Sequence, residues 1–290
     1  MKNALLIPTD FSENAWVAIK YAANLAIKFN WDIHVLHVYQ KFERLLATPE
    51  FNEAVAKHNE DASIGEMQKL ENRIKAEFPN LGLTTACIDG NLTETILKVA
   101  TENNAPFIIM GTKGASGLKG LVFGSNTFEI IQESPIGVIA VPETYKDFKL
   151  ENVGMLTNFQ ATEFDLIDSF IHRTSPAVNL TLLHVLESNK SNDQNTILYW
   201  EEKMLKHTGV NSITFRSKQM INRIDVKQPI PYCIEQMILE EGVDLLLLTY
   251  TRKSFFANLF SKSLTKSIAN ELTVPSFFMR EYFLHPLRDQ

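Results

Sequence analysis

The strand pattern of this chain is written twice, and that limits its possible folds more than any other feature. Residues 153–159 (Val-Gly-Met-Leu-Thr-Asn-Phe) echo residues 5–11 (Leu-Leu-Ile-Pro-Thr-Asp-Phe). Residues 180–185 (Leu-Thr-Leu-Leu-His-Val) echo residues 33–38 (Ile-His-Val-Leu-His-Val). Residues 243–248 echo 105–110, and 271–279 echo 133–141. Each echoed run is short and almost continuously apolar, which suits a strand buried on both faces. Helical spacing separates the runs, as in Trp16, Ile19, Ala23 and Ala26. Strands alternating with helices specify a parallel sheet covered on both sides. The expected fold class is therefore α/β: two tandem five-stranded parallel sheets, each a three-layer α/β/α unit, related by a pseudo-twofold. The expected domains are residues 1–145 and 152–282, with the polar stretch 143–152 as linker.

Within the first unit, strands are expected at 4–7, 31–38, 83–88, 107–110 and 137–141. Ser12 is the expected N-cap of the first helix, with Glu13 in its first turn. A long helix rich in Glu, Lys, Gln and Ala is expected from 49 to 78, stopped by Pro79 and Asn80. Another is expected over 93–103. Val138 to Val141 is expected to pair antiparallel with Ser276 to Met279, giving the chain a built-in dimer.

The chain has 12 glycines, and five of them, Gly111, Gly114, Gly117, Gly120 and Gly124, fall between the fourth strand and the following helix. Glycine lets the backbone approach a ligand closely, and a helix start offers unpaired N–H donors. Strand, glycine loop and helix start together describe a phosphate cradle, with Lys113 and Lys119 at its rim. Ligands of parallel sheets bind beyond the carboxyl ends of the strands. Pro8, Thr9 and Asp10, the residues after Val38, Asp89 and Gly90, and the glycine loop all lie at that end. The loop is not a P-loop, since no G-x-x-x-x-G-K-[ST] occurs. Nor is it the dinucleotide fingerprint, because it follows the fourth strand and contains no Gly-x-Gly. Aligning the halves puts Thr249, Arg252, Phe255 and Lys262 where Gly111, Gly114, Gly117 and Gly124 stand. The second copy thus keeps the strand pattern without the glycines, which leaves a ligand as their reason in the first.

The spacing Gly-x2-Gly-x9-Gly-Ser (Gly111, Gly114, Gly124-Ser125) resembles the ATP-binding signature of the universal stress protein family. Pro8-Thr9-Asp10-Phe11-Ser12, Leu36-His37-Val38 and Asp89-Gly90 fall where that family has such motifs. The chain is similar to a tandem member: the first half matches in several separated motifs, the second in strand pattern alone. The resemblance implies roles. Backbone around Gly111, Thr112, Lys113, Gly114 and Gly117 would hold phosphates together with Gly124, Ser125, Asn126 and Thr127. Asp10 would accept from the ribose hydroxyls. Val38 would meet the adenine edge, with Pro8 and Thr9 lining base and sugar. The expected ligand is ATP, ADP or AMP, with Mg2+ riding on the phosphates, since no carboxylate cluster would hold a metal alone.

The duller readings run beside these. Asp10 is also a turn residue and Ser125 also a helix cap. His37 and His184 recur at matching positions, which favours a structural role. Trp16, Trp31 and Trp200 read as packing residues. No Ser/His/Asp or Cys/His arrangement is visible, so no catalytic residue is assigned. A nucleotide-binding stress or signalling protein is the first functional reading. A slow ATP hydrolase is the second, since some family members hydrolyse ATP and others only bind it. The related ligases and transferases carry a Ser-Gly-Gly-x-Asp-Ser-type loop after the first strand, which is absent here. A binding module for a non-nucleotide ligand in the second half is the third. Net charge is -6, so nothing favours nucleic acid or an anionic membrane as partner. Two cysteines, Cys87 and Cys233, make no disulfide framework. No apolar run is long enough to span a bilayer, and a cytoplasmic protein is expected. Association into a homodimer beyond the built-in pairing stays open.

Overall fold

The computed structural model describes residues 2–40, 48–112, 124–174, 178–186, 194–206, 210–220, 229–250 and 273–280. In chain order the elements are β1 (Ala4–Pro8), α1 (Glu13–Phe29), β2 (Asp32–Tyr39), α2 (Pro49–Glu77), β3 (Leu83–Asp89), α3 (Leu92–Glu102), β4 (Ile108–Gly111), α4 (Ser125–Glu133) and β5 (Val138–Val141). The second half follows as β6 (Asn152–Leu156), α5 (Thr162–Thr174), β7 (Val178–Leu186), α6 (Gln194–Leu205), β8 (Val210–Gln219), α7 (Pro229–Glu240), β9 (Leu245–Tyr250) and β10 (Ser276–Arg280). Each strand expected in the first half is present, with ends that move by one or two residues, as element ends do.

Local chemistry sets the helix ends. Ser12 caps α1 by accepting the Ala15 N–H, and Asn30 closes it in the left-handed region, φ 53°. Thr48 caps α2, with Pro49 in its first turn, and Asn91 caps α3.

One ten-stranded sheet runs through the chain, in the order β3-β2-β1-β4-β5-β10-β9-β6-β7-β8. That order reads the same from either end once β6 to β10 are matched to β1 to β5, as a twofold relation requires. Within each half all pairings are parallel. The halves meet where β10 pairs antiparallel with β5, Phe277 opposite Ile139 and Phe278 opposite Val138. This is the strand pairing expected from the sequence. Strand order reverses between β1 and β4 in the first half and between β6 and β9 in the second, so each half has one crevice at its carboxyl edge.

Packing across the join is aromatic. Phe107, which precedes β4, lies 5.3 Å from Phe277 of β10 and 6.0 Å from Phe170 of α5, and Phe170 lies 5.5 Å from Phe277. All three rings are fully buried. Gly137 makes room for them: a Cβ there would sit 2.2 Å from the Phe277 ring. The stretch between β5 and β6 is docked rather than loose. Tyr145 and Phe148 pack on Tyr21 of α1, at 5.6 and 5.3 Å, and Lys28 Nζ donates to the Leu150 carbonyl at 3.0 Å. The α4 helix leans on the second half. Gln132 Nε2 donates to the Tyr250 hydroxyl at 2.7 Å, and Phe128 meets the Tyr250 ring edge-on at 6.4 Å. Trp16, Trp31 and Trp200 are buried packing residues, as expected. Cys233 is buried and Cys87 half-buried, both as free thiols. Among the described residues no helix is long and apolar enough to cross a membrane.

Candidate functional site

The crevice of the first half opens where β1 stops and β2 continues. Pairing of β1 with β2 ends at Pro8 opposite Leu36, and the Thr9 N–H donates to the Leu36 carbonyl at 2.8 Å. Backbone groups of a strand alternate sides with period two. The Leu36 carbonyl faces β1, so the Val38 N–H and C=O face the same way, past the end of β1. Tyr39 turns the other way, its carbonyl accepting from the Gly90 N–H at 3.0 Å. Val38 therefore offers one donor and one acceptor on the open side of the strand, the pair that a flat heterocycle's edge can use.

The turn after β1 is held by its own side chains. The Phe11 N–H donates to Thr9 Oγ1 and the Ser12 N–H to Asp10 Oδ1, both at 3.1 Å. Thr9 is buried and Asp10 exposed, which puts the carboxylate at the rim. Phe11 has φ 62°, a left-handed conformation that strains an aromatic residue. Its ring lies 4.4 Å from His37, and His37 Nδ1 donates to the Thr9 carbonyl at 2.8 Å. The second half repeats the arrangement. Phe159 has φ 61° and lies 5.0 Å from His184, whose Nδ1 donates to the Thr157 carbonyl at 2.7 Å. Recurrence in both halves assigns the histidine and the strained turn to the architecture, in line with the structural role expected for His37 and His184.

The opposite wall is the end of β4 and the start of α4. Gly124 is the N-cap of α4, at φ -55° and ψ 146°, and no side chain caps this helix. Ser125, expected as a possible cap, is instead the first helical residue; its hydroxyl lies 3.4 Å from Asn126 Oδ1. Among the described residues the first-turn N–H groups of Ser125, Asn126 and Thr127 thus project from the helix end with no side-chain acceptor. Thr127 is buried, and its hydroxyl donates to the Gly111 carbonyl at 2.9 Å, tying α4 to the end of β4. What Thr127 can give a ligand is its backbone N–H. Thr112 is buried too, its N–H on the Val141 carbonyl and its carbonyl accepting from Gly124 at 2.7 Å. Gly111 has a packing reason of its own: a Cβ there would lie 2.4 Å from Asn14 Oδ1 and 2.9 Å from the Asn14 carbonyl. Its lack of a side chain is thus required by α1, whatever the loop binds. Lys113, Gly114 and Gly117 lie outside the described residues, as does Lys119.

Pro8, Thr9, Asp10, Val38, Gly111, Thr112, Gly124, Ser125, Asn126 and Thr127 all stand at the carboxyl edge of β1, β2 and β4. The sequence did not single out Glu163, which sits at the matching edge of the second half. Its only sequence signal is an acidic residue where the first half has Ala15.

The model described as the universal stress protein family matches residues 1–142. A universal stress protein of Methanocaldococcus jannaschii is 28% identical over 154 residues, covering 49% of this chain and 95% of that protein. One from Bacillus subtilis is 29% identical over 149 residues, covering 49% of this chain and 99% of that protein. A solved universal stress protein from Archaeoglobus fulgidus aligns with 96% of this chain and 96% of its own, at TM-score 0.64 and 18% identity. That likeness concerns the fold, and it extends over both halves. The match over residues 1–142, the sheet order and the duplicated fold lead to one conclusion: residues 1–142 are a universal stress protein family domain, and the second half repeats its fold.

Proposed function

We propose that the chain is a nucleotide-binding regulator with one adenine-nucleotide site, in its first half. The observation that carries this reading is the start of α4, uncapped among the described residues, at the same carboxyl edge of the sheet as the open backbone of Val38. A helix end with unused N–H groups attracts phosphate through those donors and through the helix dipole. In this reading the N–H groups of Ser125, Asn126 and Thr127 hold the phosphates, helped by the Ser125 hydroxyl and by backbone from Gly111 to Gly117. Asp10 at the rim takes the ribose hydroxyls. Val38 pairs with the adenine edge, and Pro8 and Thr9 line the base and sugar. ATP, ADP and AMP all present these groups. Mg2+ would be carried on the phosphates; among the described residues no group of three or more His, Cys, Asp or Glu could hold a metal ion.

Occupancy would be communicated through α4, since Gln132, Phe128 and Glu133 touch Tyr250 and Arg280 of the second half. In this reading residues 1–145 form the nucleotide-binding domain and residues 152–282 a second domain without the site. The test is mass spectrometry of small molecules released from the purified chain, followed by calorimetric titration with ATP, ADP and AMP. One adenine nucleotide per chain is the expected stoichiometry. Absence of any nucleotide in the first experiment and of saturable binding in the second would overturn the reading.

A further inference from the structure

The crevice at the carboxyl edge of the second half holds buried polar atoms that have no partner among the described residues. Pairing of β6 with β9 ends at Met155 opposite Leu247, and pairing of β6 with β7 ends at Leu156 opposite Leu183. Past the end of β6, its neighbours β7 and β9 flank a gap of two strand spacings, about 10 Å. On the β7 side, the Thr157 N–H donates to the Leu183 carbonyl at 2.9 Å, so that carbonyl faces β6. By alternation the N–H and C=O of Val185 face the same way, beyond the end of β6. The Leu186 carbonyl turns away and accepts from the Met220 N–H at 2.8 Å. Val185 thus offers the donor and acceptor that Val38 offers in the first half. On the β9 side stands Thr249, on the strand face that carries Leu245 and Leu247 toward α5. Thr249 is 3% exposed, and its hydroxyl has no hydrogen-bond partner. Asn158, in the turn after β6, has a buried Nδ2 that is likewise unpartnered. Buried polar atoms without partners are costly, and two at one crevice call for a bound group that satisfies them.

We propose that this crevice is a second ligand site, which takes an uncharged nucleoside: a flat hydrogen-bonding ring that carries hydroxyl groups and no phosphate. The ring edge pairs with the N–H and C=O of Val185. The hydroxyl groups meet Asn158 Nδ2, which donates, and the Thr249 hydroxyl, which donates and accepts. Asn158 stands where the first half has Asp10, so an amide donor replaces a carboxylate acceptor. Two features disfavour phosphate. The glycines that would let backbone approach it closely are absent from the second copy. In addition, Glu163 lies under the turn, where the first half has Ala15, and is 1% exposed. Its carboxyl accepts from the Thr157 hydroxyl and from the Asn158 N–H, the latter at 2.8 Å. Burial pushes this carboxyl up to about 7, so at pH 8 it carries a negative charge that opposes a second one in the crevice. The site stands independently of the nucleotide reading of the first half, since its carrying observations are the unpartnered atoms of Thr249 and Asn158.

Amide NMR of the full chain at pH 8, in the presence of saturating ATP, tests this with adenosine as the probe. Adenosine is expected to shift the Val185 backbone amide and the Asn158 side-chain amide saturably. AMP is expected to act on the same two signals about tenfold more weakly or worse. Thr249→Val keeps the shape of the side chain and removes the unpartnered hydroxyl. It is expected to weaken adenosine about tenfold while leaving the melting temperature unchanged or raised. No saturable shift at Val185 and Asn158 would overturn the proposal and leave a trapped water as the occupant. Equal affinity for adenosine in Thr249→Val, or AMP binding as tightly as adenosine, would overturn it too. Should the variant not fold, the comparison of adenosine with AMP on the wild type decides. The ATP-induced shifts at Val38 and Ser125 report the first crevice separately, and their absence does not alter the reading of Val185 and Asn158.

Discussion

Phe277→Ala is expected to lower the stability of the whole chain by about 3–5 kcal/mol. Phe277 lies on β10, the strand that joins the halves, and its ring packs against Phe107 from the first half and Phe170 from the second. Truncation removes a fully buried ring and leaves a cavity lined by both halves, with the space above Gly137 unfilled. Rigid strand backbone on either side limits collapse into that cavity, so the cost should sit toward the upper part of the usual range. Urea unfolding followed by tryptophan fluorescence reports both halves, because Trp16 and Trp31 sit in the first and Trp200 in the second. Both should shift together. A loss below about 1 kcal/mol would show that the aromatic join is not what couples the halves.

Gly124→Asp is expected to weaken adenine-nucleotide binding about 100-fold while leaving stability unchanged or raised by a few tenths of a kcal/mol. The backbone at Gly124, φ -55° and ψ 146°, is open to any residue, so the glycine is not there for strain. Aspartate is a preferred N-cap, and α4 has no side-chain cap at present. Its carboxylate would take the first-turn N–H groups and bring a negative charge to the place proposed for phosphate. Like charges a few ångströms apart at a protein surface repel by several kcal/mol before screening, more than enough for the 100-fold effect. Calorimetry on the variant, beside a thermal melt, separates the two consequences. A destabilised variant would mean that the substitution damaged the fold, and unchanged affinity in a stable one would place the phosphates elsewhere.

Much of this molecule is legible from sequence because its central strands are buried on both faces. Such strands read as plain apolar runs, and duplication supplies a second reading of each. The antiparallel meeting of β5 and β10 follows from the last apolar run of each copy. The cap at Ser12 follows from residue type next to helical spacing. Three features were not legible. Gly111 reads as a ligand glycine by its loop, yet it is also demanded by contact with Asn14, nearly a hundred positions earlier in the chain. Phe107, Phe170 and Phe277 look like ordinary core residues, since nothing local shows that they meet across the join. Glu163 reads as an exposed first-turn acid, the most common place for one. Its burial comes from the way α5 seats on the turn after β6, which no local pattern records.

The most direct test of the nucleotide site is a backbone-amide NMR titration of the full chain with ATP. Saturable shifts are predicted at Val38, Ser125, Asn126 and Thr127, with Asn158 and Phe159 of the second half unmoved. Saturable shifts confined to the second half, or none anywhere, would contradict the account.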